Sequence, residues 1–484
     1  MITPRPYQIQ NADKACRLLQ EYGIAYLSME VRTGKSITAL LTADKYFTER
    51  GGSKGKRVLC LTKKKAIASI QEDYIALYGA QDSFALTVTN YEQLAKLKDV
   101  ESYDLIICDE AHCLGQFPKP ADRTKYLKQV CSGKPVMFLS GTPTPESLSQ
   151  IYHQLWVSSF SPFRGYHNFY AWASEFVFKE ERSINGLDVP DYSMNSGATI
   201  RALEANIRKI KIPLPLQEAY QGEIAQKLAL VQRHRADIER VRKDIADHKA
   251  RIQAGFQHLL VAFSQKDAGF EQAVQEEVLT IAMLPHTYAL ANMLLKDRIV
   301  IGRDGSEVLG DTEVKLKQKL HQIYSGTVLT EEGEMKVFDT TKADAIVTHF
   351  EGQKIAIFYK FRAEFELLKS KFGDRLTDSP EVFRDAGPER IFCAQIQSGR
   401  EGINLSSADC LVMYNIDYSS LSYTQARARL QTQDKTAACK LYWLFAEGGI
   451  ESHIYEVVKK KQDYSLWYFR KDYHIQKTTE AKNV

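Results

Sequence analysis

The stretch Ala25-Tyr26-Leu27-Ser28-Met29, followed closely by Arg32-Thr33-Gly34-Lys35-Ser36, decides the fold of this chain. An apolar run of β-type composition leads through a short loop into the helical pattern Ser36–Phe47. Backbone N–H groups of such a loop, at the N-terminus of a helix, form a nest for anions. Lys35 adds a positive charge there, and the Ser36 hydroxyl can ligate Mg²⁺. The stretch predicts a phosphate loop, with an ordinary helix start as the alternative.

Strands and helices alternate along the following hundred residues. Further apolar runs of β-type composition, separated by helical patterns, are Val58–Leu61, Ala85–Val88, Leu105–Cys108 and Val136–Leu139. Such alternation favours an α/β fold with a parallel, doubly wound sheet. Because ligands bind these sheets beyond the carboxyl ends of the strands, residues that follow each run are the candidate site residues.

The segment Asp109-Glu110-Ala111-His112 follows one of these runs directly. A carboxylate at a strand end that faces the phosphate loop can hold Mg²⁺, so Asp109 and Ser36 are the predicted metal ligands. Glu110 can orient and deprotonate an attacking water. These assignments predict a triphosphate site that uses ATP and Mg²⁺. The alternative is a solvated acidic turn.

The segment Ser140-Gly141-Thr142 follows the last of the runs. Two hydroxyl groups that flank a glycine suit a loop that senses the state of the nucleotide. We expect His112, Ser140 and Thr142 to couple the nucleotide site to movement. The alternatives are a satisfied polar histidine and a plain turn.

The order of these motifs resembles that of the superfamily-two helicases and translocases with an Asp-Glu-Ala-His box. The forms Gly402-Ile403-Asn404-Leu405 and Gln425-Ala426, with the stretch Lys315–Glu332, look most like the Swi/Snf-type branch, and compact members of that branch are familiar from phages. The resemblance covers roughly residues 1–180 and 315–465. It implies two RecA-like doubly wound parallel-sheet domains with an intervening α-helical insert.

The resemblance also assigns roles to individual residues. It implies that Gln8 reads the adenine edge and that Lys35, Asp109 and Glu110 are catalytic. The remaining residues implied to bind the nucleotide are Arg32, Thr33, Gly34, Ser36 and Gly402. Residues implied to contact nucleic acid are Lys63, Lys64, Thr89 and Asn404.

An arginine finger is implied in the second half of the chain, within Gln425-Ala426-Arg427-Ala428-Arg429. Arg429 is the leading finger, and Arg427 is its possible substitute or else a helix-surface arginine. Two residues depart from the family pattern: Met29 replaces the first glycine of the phosphate loop, and Thr432 replaces a second arginine. The departures favour slow turnover if neither arginine reaches the phosphate.

The expected domains are an ATP-binding domain at 1–180, a helical insert at 181–314, a second motor domain at 315–470 and a polar tail at 471–484. In the insert, Ile224, Val231, Ile238, Ile245 and Ile252 recur every seven residues, a pattern typical of a long helix with coiled-coil character. The segment His258–Leu295 suggests a further helix that completes a hairpin or small bundle. The basic residues of the long helix predict either an arm that touches duplex DNA or a solvated face.

Composition limits the class of protein. Of 484 residues, 44% are hydrophobic and 26% are charged, as in ordinary globular proteins. A formal net charge of +4 argues against a DNA-coating protein. Eight cysteines without a Cys-x-x-Cys pair argue against a zinc ribbon or a disulfide framework. Without an apolar run of about 20 residues, we expect no membrane span.

The main hypothesis is an ATP-dependent DNA helicase or translocase with little sequence preference and strong salt dependence. Single-stranded, duplex and forked DNA remain open as substrates, as does strand separation. The alternatives are an ATP-gated DNA-binding or annealing module with weak hydrolysis and an RNA-directed motor. Replication or recombination proteins are the expected partners, in the cytoplasm of a bacterial or phage-infected host cell.

Overall fold

The computed structural model describes residues 2–79, 83–184, 187–195, 197–211, 221–269, 274–399, 403, 405–430, 439–460 and 472–473. The chain divides into two compact units, Met1–Ser264 and Gln265–Val484. The segment 181–314, which we expected as an insert, contributes residues to both units. The domain boundaries at 180, 314 and 470 stay predictions.

The first unit contains a six-stranded sheet in which every pairing is parallel. Its strands are β1 (Ile24–Met29), β2 (Arg57–Thr62), β3 (Ala85–Asn90), β4 (Leu105–Asp109), β5 (Val136–Leu139) and, after a separate hairpin of β6 (Glu180–Ile184) and β7 (Leu187–Asp191), β8 (Leu260–Phe263). The order across the sheet is β3-β2-β4-β5-β1-β8. Strand β5 therefore lies between the strands that lead into the phosphate loop and into Asp109–His112.

The helices of the first unit are α1 (Pro6–Tyr22), α2 (Lys35–Thr48), α3 (Ile67–Tyr78), α4 (Asp122–Val130), α5 (Ile151–Trp156), α6 (Phe169–Phe176), α7 (Ala198–Lys209) and α8 (Gln221–Phe256). The 36-residue α8 is the helix expected from the seven-residue repeat. Its residues Ile252 and Phe256 are buried in the core of the unit.

The second unit contains another six-stranded sheet with parallel pairings throughout. Its strands are β9 (Val274–Ile281), β14 (Ile355–Tyr359), β15 (Leu376–Thr377), β16 (Ile391–Gln395), β17 (Cys410–Met413) and β18 (Cys439–Ala446), and its small hairpins are β10 (Ile299–Ile301) with β11 (Glu307–Leu309) and β12 (Thr327–Leu329) with β13 (Met335–Val337). The order across the sheet is β15-β16-β14-β17-β18-β9. Its helices are α9 (Pro285–Asp297), α10 (Glu313–Ile323), α11 (Thr341–His349), α12 (Arg362–Phe372), α13 (Pro380–Asp385), α14 (Ile396–Gly399), α15 (Ser420–Arg427) and α16 (Ile450–Val458).

The helical patterns in His258–Leu295 predicted a helical hairpin or small bundle, and the structure differs from this prediction. Within this segment, Leu260–Phe263 forms β8 of the first sheet and Val274–Ile281 forms β9 of the second. β9 contains the β-branched residues Val274, Val278, Thr280 and Ile281 and pairs with β18 along its whole length, so sheet pairing overrides the local helical pattern. The helical part of this segment is α9.

The predicted fold class, two doubly wound parallel-sheet units, is confirmed. Alternate residues of β1, such as Tyr26 and Leu27, belong to two different buried clusters. The same holds for Phe358 and Ile357 of β14 in the second unit. Since successive side chains of a strand point to opposite faces, each sheet is covered on both sides. Among the described helices, we find none with the length and apolarity to cross a membrane.

Candidate nucleotide site

The loop between β1 and α2 is held in a fixed, left-handed shape. Arg32 and Gly34 have positive φ angles of 69° and 79°. The Thr33 hydroxyl donates to the Glu30 carbonyl at 2.8 Å, and Lys35 Nζ lies 3.3 Å from the same oxygen. Gly34 directly precedes the 14-residue helix α2, so the loop presents the positive end of a helix dipole to an anion.

Gln8 packs directly on this loop. Its side chain is only 4% exposed, and a Cβ atom at position 34 would lie 2.0 Å from Gln8 Nε2. The residue at position 34 must therefore be glycine both for its φ angle and for this contact. Gln8 Oε1 accepts a hydrogen bond from the Arg5 amide at 2.8 Å, which fixes the orientation of the side-chain amide.

Asp109 lies at the end of β4, beside the end of β2. The Thr62 hydroxyl donates to Asp109 Oδ2 at 2.6 Å. Burial, together with the neighbouring charge of Glu110, raises the pKa of Asp109 to about 6, although the Thr62 hydrogen bond and the Lys35 charge oppose the rise. Thr62 is a site residue that the sequence analysis missed, and its position as a polar residue at the end of an apolar strand was the available signal.

Ser36 and Asp109 line one small cavity. A hydroxyl and a carboxylate supply the hard oxygen ligands that Mg²⁺ prefers, and Mg²⁺ usually takes its remaining ligands from water and phosphate. The residues present therefore fit the predicted metal. Among the described residues, no group of three or more acidic, histidine or cysteine side chains offers a cage for a metal.

Glu110, His112 and Ser140 form a connected chain of polar side chains. His112 Nδ1 lies 3.3 Å from Glu110 Oε2 and 3.1 Å from Ser140 Oγ. Ser140 Oγ also accepts a hydrogen bond from the Thr142 amide at 3.2 Å. The cause is the sheet register, which pairs β4 with β5 so that the segments after both strands meet. The three residues predicted to couple the site to movement are thus brought together.

The Ser140–Thr142 segment also touches the phosphate loop. A Cβ atom at Gly141 would lie 3.4 Å from the Met29 carbonyl oxygen and 3.6 Å from Lys35 Nζ. Since β5 lies between β4 and β1, this one segment contacts both the phosphate loop and the acidic motif. The strand order is what assembles the site.

A second pair of residues missed from the sequence supports this segment. The Tyr26 hydroxyl of β1 donates to Gln154 Oε1 at 2.7 Å, and Gln154 Nε2 donates to the Pro143 carbonyl at 2.7 Å. Both side chains are fully buried. No sequence pattern marks Gln154, because its role depends on the placement of α5 against β1.

Three of the residues predicted to contact nucleic acid are described by the structure. They lie at the carboxyl ends of strands in the first sheet, as the candidate nucleotide residues do. Lys63 and Lys64 follow the last residue of β2, and Thr89 lies near the end of β3. Gly402 and Asn404, as well as Thr432, lie outside the described residues.

The two candidate finger arginines have partners within the second unit. Arg429 is 6% exposed, and its Nε donates to the Gln425 carbonyl at 3.1 Å. Its Nη1 donates to the Ile403 carbonyl at 3.5 Å, so it links α15 to the segment around 403. Arg427 forms an ion pair with Glu276 of β9 at 2.5 Å.

Glu276 is a half-buried carboxylate with several partners, and sequence reasoning missed it. Besides the ion pair, it accepts hydrogen bonds from Tyr423 and Trp443, each at 3.0 Å, and from Tyr455 at 3.2 Å. Glu276 precedes Arg427 by about 150 residues in the sequence, and the two residues meet because β9 joins the edge of the second sheet. The contact favours a structural role for Arg427.

Comparisons with known proteins give two kinds of similarity. The chain is 23% identical over 402 residues to the CHD3-type chromatin-remodeling factor CHR7 of Arabidopsis thaliana, covering 79% of this chain and 28% of that protein. It is 35% identical over 78 residues to the DNA repair and recombination protein RAD54B of Gallus gallus, covering 16% and 8% respectively. The chain thus spans less than a third of the length of these relatives.

Among solved structures, the chain is similar to the Sulfolobus solfataricus SWI2/SNF2 ATPase core in complex with dsDNA. The identity is 14% and the TM-score is 0.38, with 95% of this chain and 91% of that chain covered. No family model matches the chain. The similarity to the chromatin-remodeling relative agrees with the resemblance to Swi/Snf-type ATPases, while the phage-like compact character stays a prediction.

Proposed function

We propose that this chain is an ATP hydrolase that couples hydrolysis to movement along DNA with little sequence preference. The observation that carries the proposal is the convergence of three loops at one sheet edge, where Lys35, Glu110 and Ser140 meet through strand order. A chain of contacts runs from the proposed base Glu110 through His112 to Ser140, with a hydrogen bond between His112 and Ser140. Because the Ser140 loop also touches the phosphate loop, this chain is suited to report the loss of a phosphate.

The residues of the first unit have distinct roles in this proposal. The phosphate loop binds the triphosphate through backbone N–H groups and Lys35, and Gln8 contacts the base. Mg²⁺ held near Ser36 and Asp109 would neutralise phosphate charge. Glu110 orients the attacking water and accepts its proton, while His112 holds the Glu110 carboxylate in place and passes its position to Ser140.

Arg429 is the proposed source of positive charge for the transition state, as the family resemblance implies. Its contacts include the backbone carbonyls of Gln425 and Ile403. Lys63, Lys64 and Thr89 are proposed to contact the sugar-phosphate backbone because they follow strands at the same sheet edge as the nucleotide. Replication or recombination proteins are the proposed partners, in keeping with the name of the RAD54B relative.

A second candidate is an ATP-gated DNA-binding module with weak hydrolysis. The observation that favours it is the engagement of both arginines, Arg429 by backbone carbonyls and Arg427 by Glu276. Such a module would bind ATP and DNA together but turn over slowly.

One set of assays separates these candidates. ATP hydrolysis is measured without nucleic acid and with single-stranded DNA, duplex DNA, forked DNA and RNA, and strand displacement is then tested on the strongest activator. We expect duplex DNA to stimulate hydrolysis. Stimulation without displacement identifies a translocase, and stimulation by RNA alone identifies an RNA-directed motor. If no polymer stimulates hydrolysis while DNA binding still depends on ATP, the gated module replaces the motor.

A further inference from the structure

The helices α7 and α8 concentrate the positive charge of this chain. We define the α7–α8 arm as residues 198–211 and 221–256. It contains twelve lysines and arginines but six aspartates and glutamates, which gives a formal charge of +6. Since the whole chain carries +4, the rest of the chain sums to −2, and the arm accounts for the basic character of the protein.

The C-terminal part of α8 anchors the arm, while its N-terminal part is accessible. Ile252 and Phe256 pack in the core of the first unit. From 222 to 237 every side chain is exposed or half-buried, and Ile238 is the first buried one. At 1.5 Å per residue, these sixteen residues offer a surface about 24 Å long.

The acidic residues of the arm are largely occupied by local ion pairs. Four carboxylates are paired with a basic residue three or four positions away, and these pairs are Glu204 with Arg208, Glu223 with Lys227, Asp237 with Arg240, and Glu239 with Arg242. By contrast, Arg233, Arg235 and Lys243 are exposed. None of these three forms an ion pair with a described carboxylate. Their charge is therefore available to an external partner.

Arg233 and Arg235 are placed so that α8 could lie in a groove that has anions along both of its sides. Residues two positions apart on a helix are separated by about 200° around its axis, so Arg233 and Arg235 flank opposite sides of α8. The face between them bears the exposed small side chains of Ala229 and Ala236 together with Lys243. A helix of this kind fits the major groove of duplex DNA, whose floor admits a helix and whose two walls are phosphate backbones.

We propose that the α7–α8 arm binds the phosphate backbone of duplex DNA through Arg233, Arg235 and Lys243. The inference rests on the proposed function and adds to it a second DNA-contacting surface, separate from Lys63 and Lys64 at the sheet edge. Arginine favours phosphate because its planar guanidinium can donate two parallel hydrogen bonds. An acidic protein surface is the competing partner, but it does not provide two anionic walls.

The test compares two double variants of the full chain. Arg233→Gln/Arg235→Gln removes both flanking arginines and keeps good helix formers, while Lys14→Gln/Arg17→Gln removes two exposed cations of α1 as a charge-matched control. Duplex DNA affinity is measured over a range of salt concentrations. We expect the arm variant to lower the salt slope by about 1.8 and to weaken binding up to about 60-fold at 0.1 M salt, because each phosphate contact contributes a slope of about 0.9.

The outcomes separate the arm from the motor. Far-ultraviolet circular dichroism and hydrolysis without DNA should match the wild type in both variants. If the wild type binds DNA and is stimulated by it, but the arm variant shows the control's slope, the arm proposal fails and the motor stands. If the arm variant loses DNA binding while wild-type hydrolysis ignores DNA, the motor fails and the arm stands. Unchanged DNA binding with loss of affinity for an acidic polypeptide such as polyglutamate overturns the DNA assignment.

Discussion

The two units treat their functional side chains in opposite ways. In the first unit, Lys35, Glu110, His112 and Ser140 are gathered at one sheet edge and contact each other or the adjoining loops. In the second unit, Arg429 is buried against backbone carbonyls, and Arg427 forms an ion pair with Glu276. The first unit thus brings together the residues proposed to bind a nucleotide, whereas Arg427 and Arg429 are engaged by groups of their own unit.

This difference indicates which unit should determine nucleotide binding and which should determine the rate of hydrolysis. A site assembled by strand register is present whenever the sheet is folded, because the paired backbones fix the loops. Arg427 and Arg429, by contrast, are engaged by groups of their own unit, and the resemblance implies that one of them acts on the transition state. We therefore expect nucleotide binding to depend on the first unit and the rate of hydrolysis to depend on the second.

The largest expected effect tests the second unit. Arg429→Gln should reduce DNA-stimulated hydrolysis by about 10³- to 10⁵-fold while nucleotide affinity stays within a few-fold, since an arginine finger acts on the transition state. Arg427→Gln should have a much smaller effect on the rate, because Glu276 already engages that guanidinium. Steady-state kinetics and nucleotide titration of both variants provide the measurement.

Since Arg429 is buried, its replacement also removes contacts to two carbonyls. Arg429→Lys keeps the charge, and thermal unfolding of both variants reports any loss of folded protein. If Arg427→Gln abolishes turnover while Arg429→Gln hydrolyses normally, the two assignments must be exchanged.

The next effect tests the first unit. Glu110→Gln should lower hydrolysis by about 10²- to 10⁴-fold, the usual contribution of a general base, with nucleotide binding retained. Glu92→Gln is the matched control, because Glu92 is an exposed carboxylate that forms an ion pair with Arg123. Wild-type turnover in the Glu110 variant would show that another group activates the water.

A stability measurement tests whether the first unit is arranged for function at a cost to folding. The pKa of Asp109 is raised from 3.8 to about 6, so the folded state holds its proton more tightly than the unfolded state. The free energy of unfolding should therefore fall as pH rises from about 4 to about 6, and above pH 6 the full cost of about 3 kcal/mol is present.

Asp109→Asn should consequently raise the free energy of unfolding at pH 8, without Mg²⁺, by up to about 3 kcal/mol while abolishing hydrolysis. Asp104→Asn, at the other end of β4, is the control and should give no gain, since Asp104 accepts a hydrogen bond from the Arg57 amide. A destabilised Asp109 variant would mean that the carboxylate is favourable where it lies.

Sequence reasoning succeeded where a motif directly follows a strand. The two-sheet fold and the contacts among Glu110, His112 and Ser140 follow from apolar runs and from the rule that parallel strands end at one edge. It failed at β8, a run of only four apolar residues, and at β9, eight residues of mixed polarity, because such stretches become strands only when a sheet edge is available to pair with them.

The missed site residues share a physical cause as well. Thr62, Gln154 and Glu276 act through partners that are distant in sequence, respectively Asp109, Tyr26 and Arg427. Patterns in a single sequence report local periodicity and loop chemistry, but they do not specify which strands become neighbours in a sheet. The strand order therefore had to be known before these three could be assigned a role.

The smallest expected effect concerns the hydrogen bond between Thr62 and Asp109 in the first unit. The Thr62 hydroxyl donates to Asp109 Oδ2 at 2.6 Å and so lowers the pKa of that carboxyl against the effect of burial. Thr62→Val removes the donor at nearly constant shape. The acidic limb of the pH profile for kcat/KM should move up by about one unit, since a hydrogen bond to a charged group contributes roughly 1.5 kcal/mol.

At pH 6.5 this shift reduces kcat/KM about threefold, whereas at pH 8 the carboxylate is ionised in both proteins and the rates should nearly agree. Thr62→Ser keeps the hydroxyl and should retain the wild-type profile. An equal loss at both pH values would mean that Thr62 acts by packing alone. Because the change is confined to one proton on Asp109, the profile separates a tuned carboxylate from a merely buried one.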